Sequence, residues 1–190
     1  MHICQGHLDI PLNDKGQRQA KGLGQALSDI DLEIMYSSDL SRAFETAEIV
    51  CGFHNITIEE SSDLRESHLG IAQGMNREDV IKKMGQEFWE KWLSPFPKDY
   101  ETVIESGEAK GQVVKRVLSF LESQLESRNH QKIGVSTHGG VLRLIVHHID
   151  QQLTQKISIP NCACYILRYH KSDKAWSFMG ALEEENLSGL

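Results

Sequence analysis

At 190 residues, 39% hydrophobic and 25% charged, the chain is long enough to close one sizeable core and too short for two of ordinary size. Its formal net charge of −7, with the basic residues scattered, excludes a general nucleic-acid surface, so any anionic ligand has to be met by local groups. No apolar run approaches the roughly 18 residues needed to span a bilayer, and the opening MHICQGHLDIPLND lacks the apolar stretch of a signal peptide.

The four cysteines, at positions 4, 51, 162 and 164, form neither a CxxC pair nor a dense framework. They fit reduced thiols in a cytoplasmic compartment, with no metal or other cofactor expected.

In chain order, NDKGQRQAKGLGQALSD opens with an N-cap candidate, Asn13, and continues in good helix formers, so a helix is predicted despite Gly22 and Gly24. EIMYSS reads as a buried strand. DLSRAFETAEIVC then places Leu40, Ala43, Phe44, Ala47 and Cys51 on one helical face. ITIEES is a second strand, and the polar, glycine-bearing DLRESHLGIAQGM a loop. One helix is expected over residues 76–93, ended by the prolines of SPFPKDYE.

A long helix over 108–127 carries Val113, Val117 and Leu121 at four-residue spacing. KIGVST is a strand, GGVLRLIVHHID a helix, and CYILRYH and AWSFMGA two strands about the turn KSDK. Strands alternating with helices predict an α/β fold: one three-layer domain over residues 1–190, with a mostly parallel sheet and helices on both faces.

Two strand-to-helix junctions share a design. Arg42 and His138 each lie just past a strand, near the first turn of the next helix. Ligands of open α/β sheets bind beyond the carboxyl ends of the strands, so both side chains should face one crevice. Gly139 and Gly140 would let an anion approach the free N–H groups at the helix N-terminus after His138. Glu66, in the polar loop, would supply the proton that a leaving alkoxide needs.

QGHLDIPLNDKGQRQA, YSSDLSRAFETAEIV, DLRESHLGIAQG and STHGGVLR resemble, in order, four blocks of the histidine phosphatase superfamily, which includes the phosphoglycerate-mutase-like phosphatases. The resemblance implies that Arg42 clamps the phosphoryl oxygens, that His138 is a second phosphate-contacting histidine and that Gly139 offers a backbone N–H. It also implies that Glu66 is general acid and then base, with Gln5 and Gly6 near the substrate mouth.

The family's nucleophile is a histidine in an Arg-His-Gly motif ending the first strand. Here only four residues precede Gln5 and the motif is absent, so the first strand is expected to be missing from the sheet. His2 does not stand in for it, and His7 is assigned a local loop role. Glu108 and Arg116 fall where relatives have a Gly-Glu-Ser segment followed by an arginine; Ala109 replaces the serine, and the pair is not counted in the site.

The expected activity is phosphomonoester hydrolysis through a phosphohistidine in an N-terminally completed protein, acting on a small phosphorylated metabolite or binding inorganic phosphate. The alternatives are a phosphate-binding chain without catalysis and a mutase. Family mutases have Glu-Arg-His-Tyr-Gly where this chain reads Glu66-Ser67-His68-Leu69-Gly70, which favours the phosphatase.

Overall fold

A computed structural model describes residues 3–182; residues 1–2 and 183–190, part of the expected domain, lie outside the described residues. The elements run α1 (Asp14–Leu27), β1 (Ile34–Ser38), α2 (Ser41–Cys51), β2 (Ile58–Ser61), α3 (Arg77–Met84), α4 (Gln86–Leu93), α5 (Lys110–Ser127), β3 (Ile133–Ser136), α6 (Gly139–Ile149), β4 (Tyr165–His170) and β5 (Ala175–Ala181). The fold is α/β, with a parallel sheet flanked by helices as the sequence predicts.

β1 is central, pairing in parallel with β2 on one side and β3 on the other, and all five of its residues are buried. Alternation along it sorts side chains between the two helical layers. Ile34 and Tyr36 join Val113, Val117 and Leu121 of α5 and Leu144 of α6, whereas Met35 packs with Leu27 of α1 and Val50 of α2. A third cluster stands apart, joining Leu69 and Ala72 of the loop after β2 to Val80 of α3 and Trp89 of α4.

Local chemistry explains the element ends. Asn13 caps α1 by accepting from Gly16 N–H at 2.9 Å. Gly24 survives inside that helix because a Cβ there would meet the Phe53 ring at 2.4 Å, so the glycine lets α1 lie close to the end of α2.

The helix expected over 76–93 is two. Gly85, at φ +91°, separates α3 from α4, a conformation that side chains disfavour and that breaks the helical path. The long helix begins at Lys110, two residues later than expected, because Glu108 is held outside it by Arg116. The loop after β2 contains two 3-10 turns, Ser62–Leu64 and Gly70–Ala72.

Among the described residues, β4 and β5 form an antiparallel hairpin that is not hydrogen-bonded to the main sheet. Among the described residues, β3 is paired along one edge only.

Leu64, fully buried on the turn that leads to Glu66, ties that loop to the main core. Leu64→Ala is expected to lower stability by about 2–5 kcal/mol in urea denaturation, the range for emptying a buried leucine site.

Candidate active site

Arg42 is the second residue of α2, directly beyond β1. Its Nη1 donates to Leu8 O and its Nη2 to Gly6 O, both at 2.8 Å, so the guanidinium is aimed by the loop at its back. Two of its five N–H donors are thereby used, and three remain for a ligand. Gly6 is at φ +53°, where a Cβ would strike Gln73 Oε1 at 2.6 Å; the turn needs glycine. Asp9 secures the same loop by accepting from Ser41 N–H at 2.7 Å and Ser41 Oγ at 2.9 Å.

His138 precedes the first residue of α6, two positions past the end of β3, with its Nε2 at 2.9 Å from Ser38 Oγ at the end of β1. Parallel pairing of β1 with β3 brings the two junctions together, as the sequence argument requires. The side chain is 7% exposed, and burial, reinforced by the Arg42 charge, pushes its pKa down to about 3. The imidazole is therefore neutral around pH 7.

Glu66 reaches the same crevice from the loop. Ser67 N–H donates to its Oε1 at 2.9 Å and Gly140 N–H to its Oε2 at 3.0 Å, so the carboxylate rests on the N-terminal turn of α6. A Cβ on Gly140 would lie 2.5 Å from Glu66 Oε1, which explains the second glycine. At Gly139 a Cβ would meet Ile159 at an ordinary 3.7 Å, so its value lies in the N–H of the first helical residue, which has no intrahelical acceptor. Gln5 and Gly6 line the same cavity as Arg42, Glu66 and His138.

The backbone of Glu66 is fixed from two further directions. His7 Nε2 lies 2.7 Å from Glu66 O, the local loop role expected of His7, and Arg116 Nη2 donates to the same oxygen at 3.1 Å. Arg116 also donates to Asp63 O at 2.6 Å and to both carboxylate oxygens of Glu108 at 2.7 and 2.9 Å. Glu108 and Arg116, not counted in the site from the sequence, are joined to the Glu66 loop by these contacts. They border the site and hold its loop, and their value lies in this pairing, which does not depend on the serine replaced by Ala109.

Arg143 was not anticipated. Half-buried on α6, it donates from Nε to Ile157 O at 3.1 Å; burial pulls its pKa down while the nearby Glu66 carboxylate opposes that shift. Its only sequence signal was a position one helical turn beyond Gly139.

The chain belongs to the histidine phosphatase superfamily (branch 1), whose profile it matches over residues 1–181. It is 32% identical to phosphoglycerate mutase-like protein 4 of Arabidopsis thaliana over 188 residues, covering 95% of this chain and 80% of that protein. It is 31% identical to phosphoserine phosphatase 1 of Hydrogenobacter thermophilus, covering 70% of this chain and 62% of the relative.

Among solved structures, Bacillus stearothermophilus YhfR superposes with a TM-score of 0.80 at 26% identity, covering 93% of this chain and 87% of that one. A mycobacterial glucosyl-3-phosphoglycerate phosphatase in complex with VO3 shares the fold at TM-score 0.80 and 20% identity, covering 93% and 89%.

Two outcomes follow from this geometry. The His138 pKa is lower in the folded chain than the ordinary unfolded value near 6.5, so the unfolded state binds the extra proton and stability falls as pH drops from about 6.5 toward 3. The difference in unfolding free energy between the chain and His138→Gln should shrink across that window by up to about 1.4 kcal/mol per pH unit. Arg116→Met leaves Glu108, whose side chain is 17% exposed, without its cation; urea denaturation should show a loss of about 3 kcal/mol, partly recovered in Arg116→Met/Glu108→Gln.

Proposed function

We propose that this site hydrolyses small phosphomonoesters by way of a phosphohistidine, with Arg42, Glu66 and His138 as three of its four working groups. The observation that carries the reading is their convergence: a guanidinium and a neutral imidazole from two strand-to-helix junctions and a carboxylate from a loop line one crevice at the N-terminus of α6.

Arg42 would clamp two phosphoryl oxygens with its free N–H groups, assisted by Gly139 N–H. An imidazole nitrogen attacks phosphorus as the ester P–O bond breaks, and protonated Glu66 gives its proton to the departing alkoxide. The resulting carboxylate takes a proton from water, whose oxygen attacks the phosphohistidine; the P–N bond breaks and inorganic phosphate leaves. His138 contacts the phosphoryl group throughout, its neutral ring adding no charge until the anion arrives.

The attacking imidazole is the fourth group. His138 is buried against Ser38, and His7 directs Nε2 at Glu66 O, so neither is free for that role. By the family resemblance that role belongs to a histidine in an Arg-His-Gly motif, which these 190 residues do not contain. Hydrolysis is favoured over mutase chemistry because Leu69, in place of the mutase tyrosine, is buried in the third apolar cluster.

No helix of the described residues is long and apolar enough to cross a membrane, and all four cysteines are unbridged, which supports a reducing, cytoplasmic setting.

The 190-residue chain should bind orthovanadate, with Arg42→Ala weakening it at least tenfold in calorimetric titration, and should hydrolyse p-nitrophenyl phosphate no faster than buffer. Vanadate binding indifferent to Arg42→Ala would remove the basis of the reading. Because the Glu66 carboxylate occupies the α6 N-terminus that an anion needs, Glu66→Gln is expected to bind vanadate roughly fivefold more tightly, the equivalent of about 1 kcal/mol.

A further inference from the structure

The loop that follows α6 is tied back to that helix at one residue, Ile157, by both of its backbone groups. His147 Nε2 accepts from Ile157 N–H at 3.2 Å, and Arg143 Nε donates to Ile157 O at 3.1 Å. The two side chains stand four positions apart on α6 and so share one face of it. Residues 151–164 contain no helix or strand, and Gln155, Lys156 and Ser158 around the tied residue are exposed. On its far side the loop is held by Tyr165 Oη, which donates to Ser158 O at 2.7 Å.

The tie depends on the protonation state of one ring. To accept at Nε2 a neutral imidazole must carry its proton on Nδ1, and His147 Nδ1 is buried without a hydrogen-bond partner among the described residues. An unsatisfied buried donor is a cost, and it is borne with Nε2 turned toward the loop. The residue is 1% exposed and its ring meets Phe96 edge-on at 5.1 Å, so close packing holds the ring in this orientation.

A proton taken from water onto Nε2 occupies the lone pair that Ile157 N–H uses and leaves two N–H groups pointing at each other. The surroundings oppose that state while the loop is in place. Burial acts most strongly, followed by the Arg143 charge one turn earlier on α6; Lys156 of the loop adds to both, Asp150 just past α6 opposes them, and Phe96 from the segment before α5 brings no charge. The neighbouring His148 stacks instead on Tyr100. The His147 pKa is accordingly held below its ordinary 6.5. With the loop released and the ring in water, the ordinary value returns, so the released state binds the proton more readily. The tie is at full strength above about pH 6.5 and weakens as pH falls below it.

We propose that residues 151–164 form an acid-released strap, latched on α6 while His147 is neutral and let go when its Nε2 takes a proton. The strap borders the start of the same helix, because a Cβ on Gly139 would meet Ile159, two residues past the latch, at 3.7 Å. Release therefore removes the apolar cover beside the first turn of α6. The device belongs to α6 and its loop and does not rest on the phosphatase reading.

The test is nuclear magnetic resonance on the 190-residue chain, following the His147 ring nitrogens and the exchange of the Ile157 amide, corrected for the intrinsic pH dependence of exchange. At pH 7.5 the ring should be the tautomer protonated at Nδ1. Protection of the Ile157 amide should fall at least threefold between pH 7.5 and 5.0, while the amides of β1 keep theirs. His147→Gln offers an amide oxygen that accepts and does not titrate, so protection should survive at both pH values. His147→Phe has no acceptor, and protection should be low at both.

A smaller fall in the unaltered chain would overturn the proposal, as would a tautomer protonated at Nε2. An equal fall in His147→Gln would place the acid effect elsewhere and overturn it too. Loss of protection in β1 over the same range would mean that the whole fold opens, and the strap would not be a separate device. Should His147→Phe fail to fold, the comparison with His147→Gln decides by itself.

Discussion

The site depends on how one residue is suspended. Glu66 belongs to a loop with no regular structure at that point, yet its main-chain oxygen faces His7 and Arg116, and its carboxylate accepts from Ser67 and from Gly140 at the start of α6. These contacts come from the N-terminal loop, from α5 and from α6, so the carboxylate's position is set by most of the fold. Arg42 is held in the same manner, from behind, by the carbonyls of Gly6 and Leu8. Rigid elements aim the functional groups, and the loops that carry them are pinned by hydrogen bonds to backbone atoms, which do not change when side chains do.

Parallel pairing does the rest of the positioning. Because β1 and β3 run side by side in one direction, the helices that follow them open on the same side of the sheet, and Arg42 and His138, 96 positions apart in the chain, meet with no direct hydrogen bond between them. The negative net charge of the chain is no obstacle. Arg42 and Arg143 both lie within electrostatic reach of Glu66, so local groups and not the net charge would meet an anion.

Much of this was legible in the sequence. Arg42, His138 and the paired glycines announce themselves by lying just past strands, a signal local to a few residues. The third apolar layer and the Arg116 contacts did not. Arg116 stands 50 positions from Glu66, and nothing in the helical pattern of α5 separates an arginine facing water from one facing a neighbouring loop. The single helix expected over 76–93 failed for a simpler reason: Gly85 reads as a mild helix penalty in sequence, whereas its φ of +91° makes it a boundary. Gly24 erred in the opposite sense, looking like a weakness in α1 and serving as the point of closest approach to Phe53.

The separate apolar cluster around Trp89 gives the molecule two levels of cohesion. α3 and α4 pack mainly on each other and on Leu69, Ala72 and Ile104, while Lys110, whose pKa burial pulls down to about 8, moors the end of α4 by donating to Lys91 O and Ser94 O at 2.8 and 2.7 Å. A unit with its own small core and a single cationic mooring can be remodelled, lengthened or replaced without disturbing β1, β3 or the groups at their ends. Changes within that unit and changes at the ends of β1 and β3 thus answer to different sets of contacts.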